Sequence, residues 1–260
     1  MKVICAGPAK TGTKSISKAL QVLGLKVFNW EEQTFDFLDH WVGVFQNGAK
    51  PDAKRVYENA DAVVDMPGTF FFEEILEAFP DCKVILSERD ENSWVESLVN
   101  QIKVFNTATF ALKPLVLLSP TLKKLFFVLL AFTDAMFGSH DPKATYVFRK
   151  RFQSHNERVK YVVPREKLLV YNIEQGWKPL CDFLECEIPN VPFPHENIKG
   201  GVANMPLEAT RAGRQIKREF MLALLGICSL IVIFVAIVCY IYYGWDNAVT
   251  AFAWPYFYVT

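Results

Sequence analysis

Short apolar segments alternate with amphipathic segments along the first part of the chain. The apolar segments are flanked by turn residues, as buried strands are, and they cover residues 2–6, 26–30, 62–67 and 83–87. Segments such as 16–23 and 70–79 carry apolar residues at helical spacing instead. This alternation predicts βαβ units, in which helices cover both faces of a parallel sheet. We therefore expect a three-layer α/β fold with a central parallel sheet.

Further elements of the same kind follow the fourth strand. Residues 91–104 and 143–163 have helical patterns, residues 168–171 form another apolar strand, and 176–184 would be the helix after it. Ligands of parallel sheets bind at the carboxyl ends of the strands. Polar residues that could bind a ligand follow three of the predicted strands at this edge. Residues 1–205 are predicted to form one domain.

Residues 104–138 are mostly apolar but interrupted. Pro114 and Pro120 break the segment and Lys123 and Lys124 split it. Neither fragment reaches the roughly 20 uninterrupted apolar residues that a membrane-spanning helix needs. Three interpretations are open: buried core helices, a lid or pocket for an acceptor, or a surface that lies on a membrane. We favour acceptor-pocket or lid helices, with membrane contact second.

The C-terminal part of the chain carries a longer apolar segment. Residues 220–243 are 24 positions without a charge, which is enough to span a bilayer. Basic residues crowd its N-terminal side and aromatic residues follow it, as at membrane interfaces. We predict a basic juxtamembrane linker at 206–219, a single-pass anchor at 220–243 and a short aromatic tail at 244–260, with the preceding domain in the cytosol. A long buried helix that packs on a partner is the alternative.

Composition narrows the function classes. The formal net charge is zero, so the sequence offers no basic surface for nucleic acid. The six cysteines form no CxxC pair and no zinc-type spacing, which indicates free thiols in a reducing compartment. The apolar run at residues 3–6 is too short for a secretory signal.

The first predicted strand runs into a glycine-bounded turn that precedes a helix. Gly7 and Gly12 bound this turn, and Lys10 and Lys14 supply positive charge. Backbone N–H groups and the helix dipole make such a turn a cradle for phosphate-like anions. The spacing of the glycines fits a Walker A loop, but Thr13 stands at the position of the lysine. Lys14 follows one residue late, and that slip rotates it by about 100° around the helix.

The segment Lys10-Thr11-Gly12-Thr13 resembles instead the 5′-phosphosulfate loop of P-loop sulfotransferases, written P-[KR]-[ST]-G-T. The chain departs from that pattern in that its proline is at Pro8, with Ala9 between Pro8 and Lys10. A second sulfotransferase signature is an arginine after a strand with a serine eight residues later, and Arg89 and Ser97 match it. A surface salt bridge of Arg89 with a neighbouring carboxylate is the alternative.

The resemblance extends beyond the two signatures. Residues 83–98 and 168–197 are similar to the small, single-domain sulfotransferases of invertebrates, fungi and bacteria, and the likeness covers about 1–104 and 140–200. It implies 3′-phosphoadenosine 5′-phosphosulfate (PAPS) as the donor, 3′-phosphoadenosine 5′-phosphate (PAP) as the product, and no metal requirement.

The resemblance also assigns roles to residues. Lys10 would stabilise the bridging oxygen as the sulfuryl group leaves, and Arg89 and Ser97 would hold the 3′-phosphate. The residues expected around the 5′-phosphate are Lys10, Thr11, Gly12, Thr13, Lys14 and Ser15. Lys199 is a further candidate for the 3′-phosphate, with a solvated turn as the alternative.

The transfer requires a general base that takes a proton from the acceptor. Asp65 follows a predicted strand, and related small sulfotransferases carry an aspartate in the same D-x-P context. Capping of the following helix is the alternative for Asp65, and His40, His140 and His155 are alternatives for the base. The apolar segment and the anchor favour a small hydrophobic alcohol, phenol or amine as the acceptor.

Two other functions remain open at this point. A P-loop kinase or NTPase would use Asp65 for magnesium, but the displaced Lys14 argues against it. A membrane-anchored binding protein that has lost catalysis is the other, and the altered proline position is its only support.

Overall fold

A parallel sheet forms the centre of the fold, as the sequence predicts. The computed structural model describes residues 1–196 and 210–253, with the side chains of the last helix described to residue 243. The strands are β1 (Val3–Cys5), β2 (Val27–Phe28), β3 (Ala62–Val64), β4 (Lys83–Ser87) and β5 (Leu168–Tyr171). Their order in the sheet is β2-β3-β1-β4-β5, and every pair of neighbours is parallel.

Helices connect and surround these strands. They are α1 (Thr13–Val22), α2 (Trp30–Phe35), α3 (Leu38–Asn47), α4 (Ala53–Tyr57), α5 (Phe72–Ala78), α6 (Glu91–Val116), α7 (Pro120–Phe137), α8 (Thr145–Val162), α9 (Trp177–Leu184) and α10 (Arg211–Ala253). Short 3₁₀ turns at Arg165–Lys167 and Ile173–Gln175 flank β5. A break at residues 36 and 37 separates α2 from α3.

The sheet is buried on both faces, which confirms the three-layer α/β architecture. Alternate strand residues point to opposite faces: Ile4 and Val84 belong to one apolar cluster, and Val3 and Ile85 to another. Helices α3, α4, α5 and α7 contribute to the first cluster, and α1 and α9 contribute to the second.

The interrupted apolar segment forms two helices with different environments. Helix α6 continues through Pro114 and ends at Val116, because a proline this close to the end removes only one late hydrogen bond. Leu125, Val128 and Phe132 of α7 lie in the core, so this part of the segment is a buried core helix. The C-terminal half of α6 is largely exposed.

Helix α10 contains the predicted anchor and begins earlier than expected. It starts at Arg211, inside the predicted linker, because Ala212 and Ile216 are buried in the core of the domain. From Arg211 to Tyr243 it is long and apolar enough to cross a membrane, with a mean hydropathy of 3.1 in its most apolar window. That window is exposed along its whole length, so the helix is a candidate membrane anchor.

Candidate active site

The turn between β1 and α1 is held against the ends of neighbouring strands. Gly7 lies so close to β4 that a Cβ atom there would be 1.9 Å from Ser87 Oγ and 2.6 Å from Ser87 N. Gly12 has φ +97°, and a Cβ atom there would be 2.6 Å from Ile173 Cγ2. Both glycines are therefore required, one by a close approach and one also by its backbone conformation.

Hydroxyl groups fix the path of this turn from inside. Thr11 Oγ1 donates to the Pro8 carbonyl at 2.7 Å and lies 2.5 Å from Ser87 Oγ. The hydroxyl of Thr69, which is fully buried, lies 3.2 Å from the Cys5 carbonyl and 3.3 Å from the Gly7 carbonyl. The Ser15 hydroxyl accepts a hydrogen bond from the backbone N–H of Glu196. The hydroxyls of Thr11 and Ser15 thus have partners within the protein.

The N-terminus of α1 opens onto this turn without a side-chain cap. The N-cap residue is Gly12, which has no side chain to accept hydrogen bonds from the first-turn N–H groups. Those groups and the helix dipole favour an anion at this end of α1. The first turn also carries Thr13, whose hydroxyl donates to Asp65 Oδ2 at 3.3 Å.

Lys10 and Asp65 share an unusual backbone conformation. Among the described residues, the non-glycine residues with a positive φ are Lys10 (75°), Asp65 (73°) and Glu185 (58°). Such residues carry a cost of about 1–3 kcal/mol and cluster at functional sites. Two of the three are thus the predicted catalytic pair.

The carboxylate of Asp65 is held beside the turn. Its Oδ1 accepts a hydrogen bond of 2.9 Å from the backbone N–H of Met66, the next residue, and not from the first turn of α5. Burial raises the pKa of Asp65, and the Met66 N–H and the nearby Lys14 ammonium offset part of that effect. A raised pKa brings a carboxylate closer to the range in which it accepts a proton at neutral pH.

A buried amide supports the segment around Asp65. Gln33 is fully buried, and its Nε2 donates to the Val64 carbonyl at 2.9 Å, while its Oε1 accepts from Gly68 N at 2.8 Å and from Tyr57 Oη at 2.9 Å. Val64 and Gly68 stand on either side of Asp65. Gln33 therefore fixes both ends of the segment that carries the carboxylate.

Lys10 lies where burial and neighbouring charges act on it. Its Nζ is 3.4 Å from Gln101 Oε1 on α6. Burial lowers the pKa of Lys10, Asp65 acts in the opposite direction, and Arg89 lowers it further. Lys10 follows β1 and Asp65 follows β3. The two side chains are therefore close enough for the charge of one to act on the other.

Arg89 makes contact with the turn and not with its neighbours in sequence. One of its guanidinium nitrogens donates to the Lys10 carbonyl at 3.1 Å. Glu88 pairs with Lys160 at 2.5 Å, and Asp90 caps α6 by accepting from Ser93 N at 2.9 Å. The two carboxylates that a surface salt bridge would use thus have other partners.

Helix α6 brings a second set of residues to the turn. Trp94 is fully buried and donates from Nε1 to the Ala9 carbonyl at 2.8 Å. Ser97 is half-buried on the same helix, which also carries Gln101. Arg89 and Ser97 are therefore placed on the segment that packs against the turn.

The side chain of Lys14 turns away from the cradle. Its Nζ forms an ion pair with Glu31 Oε1 at 3.1 Å, and both side chains are partly buried. The ammonium therefore faces α2, and the contribution of Lys14 to the cradle is its backbone N–H. Lys199 lies outside the described residues.

The three histidine candidates have different surroundings. His40, which is half-buried, accepts from the backbone N–H of Asp52, and the exposed His140 pairs with Asp134. His155 donates from Nε2 to the Ala6 carbonyl at 2.7 Å, directly before Gly7, and burial lowers its pKa. Of the three, His155 is the one whose contacts place it at the base of the turn.

A cleft of about 690 Å³ lies between α5, α7 and α8. Phe70, Phe72, Met136 and His155 contribute to its wall, and an ion pair between Glu73 and Arg158 lies along it. Phe70, Ala9 and Met66 all pack against the apolar cluster that α6, α7 and α8 form around Trp94. The cleft reaches the base of the turn through His155, which lines it and contacts the Ala6 carbonyl.

Several site residues could not be found from their sequence patterns. Gln33, Thr69 and Ser87 are buried polar residues, and nothing in their sequence spacing distinguishes them from solvent-facing residues. Trp94 lies within the stretch between Arg89 and Ser97, so its proximity to the site follows from the second signature. The remaining predicted residues are contributed by the turn, the segment after β3 and the start of α6.

Comparison with known proteins gives a family for this arrangement. The family described as the sulfotransferase domain matches residues 2–202. A curated protein of Aspergillus versicolor, "Ava biosynthesis cluster protein M", is 30% identical over 212 residues, which cover 75% of this chain and 80% of the relative. The match spans the turn, the strand ends and both signatures. The chain belongs to the sulfotransferase domain family.

Proposed function

We propose that this protein transfers a sulfuryl group from PAPS to a hydroxyl or amine of a small hydrophobic acceptor. The observation that carries the proposal is the contact of Arg89 with the Lys10 carbonyl, which joins the candidate 3′-phosphate and 5′-phosphate residues in one site. The uncapped N-terminus of α1 beside it is suited to the 5′-phosphate. Family membership supports the same chemistry.

Each residue would act through its own position. Sulfuryl transfer, like phosphoryl transfer, depends mainly on positioning and charge stabilisation. Lys10 would hold positive charge where negative charge develops on the leaving oxygen. The first-turn N–H groups of α1 would bind the 5′-phosphate, and the guanidinium of Arg89 and the hydroxyl of Ser97 would bind the 3′-phosphate. Lys199 remains a proposed contact to the same phosphate.

Asp65 is the proposed general base. Its raised pKa, its location at a strand end and its contact with Thr13 support that role. The neutral tautomer of His155 that donates to Ala6 carries its lone pair on Nδ1, so His155 is the second candidate. Loss of turnover in Asp65→Asn, with full turnover in His155→Asn, would assign the base to Asp65.

The cleft beside Phe70 is the proposed acceptor site. Its volume is in the usual range for small-molecule pockets, and aromatic side chains contribute to its wall. A relative named as a biosynthesis cluster protein fits a small-molecule acceptor as well. Ser154→Trp, at an exposed position on the wall, is expected to raise the KM for acceptors and to leave PAP binding unchanged.

The candidate anchor gives the proposed localisation. We infer that α10 crosses a bilayer once and that the basic residues before it hold the catalytic domain in the cytosol, where PAPS is made. Protease digestion of intact microsomes tests this topology. Cleavage of the domain from the outside is expected, and protection of the domain would place it in the lumen.

The test of the donor is a thermal-shift titration of the full chain in detergent. A ligand that binds only the folded state raises stability with its concentration. PAP is expected to stabilise the protein without magnesium, and a preference for ATP with magnesium would indicate a kinase or NTPase. The full chain is needed because Ala212 and Ile216 of α10 are part of the core.

A matched pair of lysine variants then tests catalysis. Lys10→Met is expected to abolish transfer of radiolabelled sulfate from PAPS and to reduce PAP affinity only modestly. Lys14→Met removes an equal charge whose ion pair is with Glu31, and it should retain most of the activity. Equal activity of the two variants and the wild type would contradict the role of Lys10, and no transfer by the wild type to any acceptor would indicate an inactive family member.

A further inference from the structure

The connection between α6 and α7 exposes a group of apolar side chains. We name residues 110–118 the α6–α7 corner. Leu117 is 89% exposed and Phe110 is 73% exposed, and Leu115 and Leu118 are exposed beside them. Lys113 is the one charged residue between positions 104 and 122. Contiguous exposed apolar side chains of this kind mark contact surfaces for proteins or membranes.

The corner is fastened to the place where α10 leaves the domain. The carboxylate of Glu219 accepts hydrogen bonds from Ser119 Oγ at 2.5 Å, Thr121 Oγ1 at 2.7 Å and Thr121 N at 3.1 Å. Glu219 is followed directly by Phe220, the first residue of the uncharged segment. Leu117 and Leu118 therefore lie within two residues of Ser119, which is bound to Glu219 at the start of that segment.

The position of the corner relative to α10 is fixed by the core. Helix α7 begins two residues after Leu118, and its residues Leu122, Leu125 and Val128 are buried. Ala212 and Ile216 of α10 belong to the same apolar cluster. Because both helices are packed in one core, the corner cannot move away from the start of the anchor without breaking that core.

Basic residues flank the corner and the start of the anchor in the sequence. They are Lys103, Lys113, Lys123, Lys124, Arg211, Arg214, Lys217 and Arg218. Lys124 pairs with Asp39, and Glu219 is bound to Ser119 and Thr121. An apolar surface with a basic margin fits the headgroup region of a bilayer with anionic lipids, where long lysine stems reach outward.

We propose that the α6–α7 corner inserts into the leaflet that α10 enters and forms a second membrane contact of the domain. Phe110, Leu115, Leu117 and Leu118 enter the boundary between headgroups and acyl chains, and Lys113 stays at the headgroups. This inference rests on the proposed anchor, because the bilayer that the corner meets is the one that α10 spans. It assigns the exposed half of α6 a lipid environment.

Spin labels in the full chain test the contact. The exposed native cysteines are replaced (Cys186→Ser, Cys228→Ala, Cys239→Ala), and Leu117→Cys is labelled in vesicles of phosphatidylcholine and phosphatidylserine. The ratio of collision rates with oxygen and with a water-soluble nickel chelate reports insertion. We expect this ratio to be several-fold higher at position 117 than at a control position on the domain, residue 188.

The matched control is Ile188→Cys. Ile188 is an exposed apolar residue that follows α9 in the chain. Equal accessibility to nickel at 117 and 188 would overturn the proposal. Dipolar broadening between labels at 117, with both reagents excluded, would overturn it too, because it would show that a second copy of the chain covers the corner.

A third label separates this proposal from the anchor itself. Val232→Cys lies in the middle of the uncharged segment of α10. If 232 is lipid-exposed and 117 is in water, the anchor stands and the second contact is wrong. If 232 is in water, the anchor fails, and the inference about the corner fails with it.

Discussion

Arg89 donates a hydrogen bond to the backbone carbonyl of Lys10 across a separation of 79 residues in the chain. The bond joins the segment after β4 to the turn after β1, so two short sequence signatures become one site. Among the described residues the bond uses one guanidinium nitrogen, so the other N–H groups of the planar fork can reach the proposed phosphate. A change at Arg89 therefore affects the turn and the ligand together.

Arg89→Lys is expected to raise the KM for PAPS by about 10- to 100-fold, in line with about 1.5–3 kcal/mol for a hydrogen bond to a charged group. Lysine keeps the charge but lacks the fork that would contact the Lys10 carbonyl and the proposed phosphate at once. Steady-state kinetics with varied PAPS measures the change. Arg149→Lys, whose partner is Glu91, is the control, and an equal effect of both variants would remove the special role of Arg89.

Gly7→Ala is expected to destabilise the protein by about 2–4 kcal/mol. The new methyl group would meet both the hydroxyl and the backbone nitrogen of Ser87, and β4 cannot give way without loss of its sheet hydrogen bonds. Chemical denaturation in detergent measures the change. Gly43→Ala in α3 is the control, because its Cβ atom meets nothing within 4 Å.

The control should behave in the opposite direction. Alanine is preferred over glycine within helices by up to about 1 kcal/mol, so Gly43→Ala is expected to stabilise the protein slightly. A stable Gly7→Ala variant would mean that the turn can move away from β4. The close approach of the turn to β4 would then not be what holds the proposed phosphate cradle in place.

Gln33→Met is expected to lower stability by about 2–4 kcal/mol and to lower kcat in the population that remains folded. Methionine fills a similar volume but leaves the Val64 carbonyl and the Gly68 N–H without their partner, so the segment around Asp65 loosens. Denaturation and initial rates at low temperature measure the two effects. Gln46→Met on the exposed side of α3 should change stability by no more than about 0.5 kcal/mol.

Asp65→Asn is expected to stabilise the apo protein at neutral pH while it reduces kcat by about 10²- to 10⁴-fold. Burial raises the pKa of Asp65, so the folded state binds its proton more strongly than the unfolded state does. The stability of the wild type should therefore decrease as pH rises from the unfolded pKa of about 3.9 to the raised folded value. The variant lacks this decrease.

Melting temperatures of both proteins across that pH range measure the difference. Asp61→Asn provides a control of opposite sign, because the backbone N–H of Lys26 lowers the pKa of Asp61 in the folded state. Its removal should cost stability above the unfolded pKa. If the difference in melting temperature between wild type and Asp65→Asn did not change with pH, burial would not raise the pKa of Asp65.

The fold could be predicted because its strands leave a strong local signal. Residues 83–87 and 168–171 are runs of apolar residues between turns, and both are strands with the predicted bounds. The end of α6 was less accessible to prediction, because the effect of Pro114 depends on how near the helix end lies. The start of α10 depends on tertiary burial of Ala212 and Ile216, which a basic sequence does not reveal.

The candidate site could be predicted where its residues form short sequence motifs. The turn from Gly7 and the pair Arg89 and Ser97 are short motifs; the turn follows β1, Arg89 follows β4, and Ser97 lies on α6. Gln33 could not be predicted, because its importance comes from contacts with three separate segments. Nor could the direction of Lys14, since Glu31 reaches it only after α2 has packed beside α1.

The continuity of α10 has a mechanical consequence. A catalytic domain joined to its anchor by a loose tether would tumble above a bilayer and sample every orientation. Here Ala212 and Ile216, in the first turns of the candidate anchor helix, are core residues, so we expect the helix and the domain to rotate as one body. If α10 spans a membrane, the tilt of that helix sets the angle at which the sheet edge faces the lipid, and the enzyme searches for its acceptor in two dimensions.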